Sequence, residues 1–252
     1  MKTAVVGNSH TKAIQSAIRM ALRRPPSEID FHLIGPHWEI ERSDRAGEAP
    51  GTRLWGEPRT DDAPGIDIGQ YGRVLISACG MRAARNEFVE GDDRPTNHPL
   101  GLMARADWEP IDGEAPAGLQ LVSAAVFKET IESWVRREAN MRLAVGLAEH
   151  FDGRILLQPW PAPSRTLKTD AGWFMNRWYG ENSSRAWFDY FTAQNAAIRQ
   201  VAAEIGSRCV VLDHLAEDSR PDGFAEARLR GADPWHGSRE YGALVFDQLE
   251  WD

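Results

Sequence analysis

TAVVGNSHTKAIQSAI, residues 3–18, changes its period halfway through. Residues 3–6 are a short apolar run rich in β-branched side chains, and Gly7 ends it. Such a run reads as a buried strand. From Thr11 onward Ala13, Ile14, Ala17, Ile18, Ala21 and Leu22 recur at helical spacing, and Pro25-Pro26 stops the pattern. A strand running into a helix is the opening of a β-α unit.

Working outward, the unit repeats. Strands are expected at 30–34 (DFHLI, before Gly35-Pro36), 73–78 (RVLISA, before Gly80), 153–158 (GRILLQ, before Pro159) and 208–213 (RCVVLD). A long helix is expected over 124–151, with Val126, Phe127, Ile131, Trp134 and Val135 on one face, and further helices over 185–205 and about 238–249. The stretches 36–70, 89–118 and 159–184 show no period and read as long loops, which in a compact domain are functional or mobile. Alternating strands and helices predict one α/β domain over residues 1–252, with about five parallel strands covered on both faces as an α/β/α sandwich. Ligand sites in such sheets lie beyond the carboxyl ends of the strands. Gly7-Asn8-Ser9-His10, Gly80, Gln158-Pro159 and the loop 213–236 all follow strand ends.

Composition narrows the function classes. The chain has 252 residues, 42% of them hydrophobic, enough for a full core. Its net charge of −8 argues against a nucleic-acid backbone as partner. Cys79 and Cys209 are the only cysteines, and both sit in apolar runs, so they read as buried small side chains and not as a disulfide or metal set. No stretch reaches the roughly 18 apolar residues of a membrane span. The four-residue apolar stretch after Met1 is too short for a secretory signal, so a cytoplasmic protein is expected. Neither metal-ligand spacing nor a glycine-rich phosphate motif occurs, so no cofactor is expected.

Two segments carry chemistry. Ser9 follows the first strand at the mouth of the first helix, whose free N–H groups could hold a developing oxyanion. Capping that helix is the other role open to the serine. At the far end, Asp233 and His236 stand in ADPWHG, residues 232–237. The D-x-x-H spacing lets a carboxylate fix the imidazole tautomer while the other ring nitrogen takes a proton from a hydroxyl. A surface turn is the alternative. The adjacent pair Asp213-His214 points apart and cannot form this relay, and His32, His37, His98 and His150 lack an organised partner.

Together, VVGNSHTKA and DPWHGSREYGALV resemble the first and last blocks of the SGNH, or GDSL-type, serine hydrolases. The resemblance implies the flavodoxin-like three-layer fold, with Ser9 as nucleophile, His236 as general base and Asp233 as its orienting partner. It implies an esterase acting on a small acyl ester, with an O-acetyl group on a carbohydrate as one such substrate. The family places an asparagine in a G-x-N segment after the third strand. Here Gly80 matches the glycine, but Arg82 stands at the asparagine position. Either Arg82 serves as a cationic donor, or Asn86 reaches in from the next turn, or that donor is missing. Together with the N–H groups near Ser9 and Gly80 these residues make the expected oxyanion hole. Gly35 is the nearest match to a further glycine of the family, with Pro36 putting its register in doubt. Trp160, Trp173, Trp178 and Trp235 are expected near the substrate, where flat aromatic faces suit a sugar or an acyl chain. The alternative for the loop tryptophans is a satellite hydrophobic cluster. A binding protein that has lost turnover, and an acyltransferase with a sugar acceptor, remain the competing functions.

Overall fold

The computed structural model describes residues 2–7, 10–20, 22–25, 27–34, 38–43, 51–56, 65–80, 103–108, 120–161, 183–212, 227–231 and 237–249. Its centre is a five-stranded, all-parallel sheet. The strands are β1 (Thr3–Gly7), β2 (Ile29–Leu33), β6 (Arg73–Cys79), β9 (Arg154–Pro159) and β10 (Cys209–Val211), in the spatial order β10-β9-β6-β1-β2. The expected α/β fold with a five-stranded parallel sheet is the observed one.

Strand periodicity sorts the core into two layers. Ala4, Val6, Val74, Ile76, Ile155 and Leu157 face one side of the sheet, and Val5, Leu75 and Leu156 face the other. Both sides are buried, which is why these strands read as continuous apolar runs and not as alternating ones. The first side is covered by α2 (Ala124–Arg137), α3 (Ala139–His150) and α4 (Ser183–Ile205). The second is covered by α1 (Thr11–Arg19) and α5 (Arg239–Asp247), through Ala13, Ile14, Tyr241, Val245 and Phe246. Among the described residues Trp187 on α4 is the largest fully buried side chain. Burial of a side chain of this kind contributes about 1.5–3 kcal/mol or more.

Several expectations are corrected. The stretch 36–70 contains a three-stranded sheet: β3 (Trp38–Ser43) pairs antiparallel with β4 (Gly51–Gly56), and β4 with β5 (Ile66–Asp67). Trp38 and Ile40 alternate toward the core, and the Trp38 indole donates to the Ala139 carbonyl at 3.2 Å. The surrounding Gly, Pro, Asp and Arg hide so short an alternation. Within 89–118 lies β7 (Met103–Arg105), which pairs in parallel with β8 (Gln120–Val122).

The single helix expected over 124–151 is two. Glu138 adopts extended backbone between α2 and α3, and its carboxylate caps α3 by accepting from the Met141 N–H at 3.1 Å. An acidic side chain at that position satisfies a free amide of the new helix. Of the apolar face expected there, Phe127, Ile131 and Val135 are buried and Trp134 is partly so, while Val126 is exposed. Helix α1 ends at Arg19, short of Leu22, and Leu22 is exposed. Among the described residues no helix is long and apolar enough to cross a membrane.

Candidate functional site

The carboxyl ends of β1, β6 and β9 lie side by side, so Gly7, Gly80 and Pro159 open onto one edge of the sheet. Of the residues expected to act there, Gly80 and Trp160 are described. Ser9, Arg82, Asn86, Trp173, Trp178, Trp235, Asp233 and His236 lie outside the described residues. So does Gly35. The residues that flank them show how the edge is built.

On the nucleophile side, β1 ends at Gly7 and α1 begins at Thr11. The cap position of α1 belongs to His10, whose side chain makes no capping bond. His10 is instead buried, and its ring lies 4.2 Å from the ring of Trp160, tilted by 60°. The Trp160 N–H donates to the Cys79 carbonyl at 3.2 Å. Trp160, the first of the loop tryptophans, therefore packs on a residue of the protein and against the core.

On the other side, the described residues that precede and follow 232–236 are tied to each other. Arg230 and Gly237 form an antiparallel bridge, the Ser238 N–H donates to the Leu229 carbonyl at 2.9 Å, and Ser238 Oγ donates to the Arg228 carbonyl at 2.7 Å. Ser238 also caps α5, accepting from the Tyr241 N–H at 3.2 Å. Helix α5 then packs closely on α1. A Cβ at Gly242 would overlap the Ala13 carbonyl, so only glycine allows this approach.

Beneath the edge runs a buried polar chain. Ser77 Oγ donates to Gln158 Oε1 at 2.9 Å, and Gln158 Nε2 donates to the Tyr241 hydroxyl at 3.2 Å. Ser77 also underlies β1, because a Cβ at Gly7 would sit 3.1 Å from its Cβ. The chain therefore ties β6 and β9 to the first turn of α5. Serine and glutamine inside the apolar runs RVLISA and GRILLQ were the sequence signal for it, since buried polar groups need partners.

The end of β6 is bent. The register against β9 shifts between Ile76 and Cys79. Ala78 has φ +61°, a conformation costly for a residue with a Cβ. Asn140 on α3 holds this bend, its Nδ2 donating to the Ser77 and Ala78 carbonyls at 3.0 Å each. Bulges of this kind re-aim strand ends next to sites. Gly80 follows at φ +108°, and a Cβ there would lie 2.8 Å from Cδ of Gln194. Gln194 is fully buried on α4, and the Tyr190 hydroxyl donates to its Oε1 at 2.8 Å.

Both thiols are free and buried, as expected. Burial pushes the Cys79 thiol well up and the Cys209 thiol up to about 12, so neither is a thiolate near neutral pH. Among the described residues no group of three or more His, Cys, Asp or Glu side chains could hold a metal.

One expectation about histidines is corrected. His32 has an organised partner: its Nε2 lies 3.0 Å from the Tyr71 hydroxyl, which donates to Asp30 Oδ2 at 2.7 Å, and Lys2 Nζ pairs with Asp30 at 2.8 Å. Asp30 and His32 are two residues apart on β2, and so point to the same side, a signal present in DFH. This cluster sits on an edge strand.

No family model matches the sequence, and neither the curated proteins nor the solved structures contain a match to it.

Proposed function

We propose that this chain is a serine esterase of the SGNH type, acting on a small acyl ester through Ser9, His236 and Asp233. One relationship carries the reading. The helix that begins two residues after Ser9 packs directly on the helix that begins three residues after His236, with Gly242 against the Ala13 carbonyl. Helices more than two hundred positions apart in the chain thus pack together on one face of the parallel sheet, which supports bringing the segments before them near one another. The cap position of α1 falls on His10, which favours a role other than helix capping for Ser9.

In the proposed reaction Ser9 Oγ bonds to the ester carbonyl carbon while its proton passes to His236, whose tautomer Asp233 sets. The carbonyl π pair moves onto oxygen, where backbone N–H groups near Ser9 and Gly80 stabilise it. The C–O bond to the alcohol breaks, and the alcohol leaves with the proton from His236. Water then attacks the acyl group, returns a proton through His236 to Ser9, and frees the carboxylic acid. An O-acetylated carbohydrate is the proposed substrate class, on the resemblance and on the aromatic content of residues 159–184. The two free buried cysteines fit a reducing, cytoplasmic setting.

The test is covalent labelling with an active-serine phosphonate, read by intact mass and peptide mapping. Labelling of the wild type at Ser9, lost in Ser9→Ala, is expected. An unlabelled wild type, or equal labelling of Ser9→Ala, would overturn the reading.

A further inference from the structure

Met20 closes helix α1, and Arg239 opens helix α5. Although 219 positions separate them, Arg239 Nη1 donates to Met20 Sδ at 3.4 Å. The same guanidinium is steadied by its neighbour, its Nε donating to Glu240 Oε1 at 2.9 Å. Met20 is 56% exposed, so small solutes reach this side chain, whereas Met141 on α3 is fully buried. A thioether sulfur is a weak acceptor, and a cationic donor gains little from it. A sulfoxide oxygen on the same sulfur is a far more polar acceptor, and its bond to a guanidinium is charge-assisted. The contact therefore suits the oxidised side chain better than the reduced one.

We propose that Met20 is a site of reversible oxidation by hydrogen peroxide, and that Arg239 holds the resulting sulfoxide. The sulfur lone pair bonds to one peroxide oxygen as the O–O bond breaks. The leaving hydroxide takes the proton carried by the transferred oxygen and departs as water. Sulfur is oxidised by two electrons, and the peroxide is reduced by two. The new sulfoxide oxygen then accepts from Arg239 Nη1. Sulfoxides disrupt proteins where the methionine packs in a core, and Met20 lies at the surface, so the added polarity displaces no core packing. Oxidation thus ties the end of α1 more firmly to the start of α5. These helices already meet at Ala13 and Gly242 and through the Arg23–Asp247 ion pair. None of the residues proposed for catalysis takes part.

The experiment treats the wild-type chain, Met20→Leu and Arg239→Ala with hydrogen peroxide. Peptide mass follows the oxygen gained at Met20 and at Met141. The thermal midpoint is measured before treatment, after it, and again after incubation with methionine sulfoxide reductases. In the wild type Met20 is expected to gain one oxygen before Met141 does. The midpoint is expected to rise by about 1–4 °C, the effect of one added hydrogen bond in a chain of this size, and to fall back on reduction. Neither variant is expected to show the rise. Because both substitutions are at exposed positions, both variants are expected to fold. Oxidation of Met20 no sooner than Met141, or a wild-type midpoint that stays level or drops, overturns the proposal. So does a rise that persists in Met20→Leu or in Arg239→Ala.

Discussion

Gln158 on β9 donates a hydrogen bond to the Tyr241 hydroxyl on α5, 3.2 Å away, joining the middle of the sheet to the helix that follows segment 232–236. Its Oε1 is occupied by Ser77, so both ends of the amide are used inside the protein. Replacement by leucine leaves the buried Ser77 hydroxyl without its acceptor. Gln158→Leu is expected to cost about 1–3 kcal/mol. In a chain of this size that lowers the thermal midpoint by roughly 2–12 °C. The double variant Ser77→Ala/Gln158→Leu is expected to lose less than the two single losses added together, because the partners share one bond. Thermal unfolding followed by circular dichroism checks both outcomes.

Asn140 bonds two carbonyls around a residue in the left-handed region. Without it, the Ser77 and Ala78 carbonyls lose a buried donor, and the bend at Ala78 loses its restraint. Asn140→Leu is expected to cost about 1–3 kcal/mol and to slow phosphonate labelling, since Gly80 is two residues beyond the bend. Urea unfolding and labelling kinetics on the same samples check it, and unchanged labelling would show that the bend does not position the site.

The approach of α5 to α1 depends on Gly242. A methyl group there meets the Ala13 carbonyl, and backbone cannot step aside as the tip of a flexible side chain can. Gly242→Ala is expected to cost about 1–3 kcal/mol, the range for an overpacked contact. Because this contact sets the spacing of the two elements flanking Ser9 and His236, labelling is expected to fall by more than the loss of folded protein explains.

Burial lowers the pKa of His32 below its usual 6.5, against the opposing pull of Asp30. The unfolded chain therefore takes up a proton at His32 before the folded one does, and in that interval unfolding is favoured as the pH drops. The His32 contribution is full above pH 6.5 and is lost as the pH falls through the folded value. Asp30, held below 3.8 first by Lys2 and then by Tyr71, acts with the same sign in a separate, more acidic window. Unfolding free energies measured in urea from pH 8 to 5 are expected to decline in the wild type and to be flatter in His32→Gln. Equal slopes would remove His32 as the cause.

Cys79 and Cys209 are buried, and burial raises both thiols. Neither is expected to react with a disulfide reagent at neutral pH until denaturant is added, whereupon both thiols should titrate. Prompt reaction in the native protein would mean that the layers around β6 and β10 open readily.

The three central strands β1, β6 and β9 were legible in the chain because burial on both faces makes each one a nearly continuous apolar run ended by glycine or proline, a pattern that needs no partner to be seen, while the edge strands β2 and β10 were legible from their β-branched and aromatic residues. The helices were legible where one face is apolar, as at Ala13, Ile14 and Ala17. The break at Glu138 was not, because a cap is a single hydrogen bond and leaves the apolar period almost undisturbed. Strands β3, β4 and β7 escaped because they are short or face the core on one side only, so their pairing partners and not their own composition decide them. The serine and the D-x-x-H pair, on which the proposed chemistry rests, were singled out from residue type and spacing alone. That Ser77, Gln158 and Tyr241 form one chain, and that Gln194 lies against Gly80, only the tertiary structure decided. A buried side chain's hydrogen bonds run to elements distant in sequence, and no local pattern encodes which neighbour the fold will bring within 3 Å.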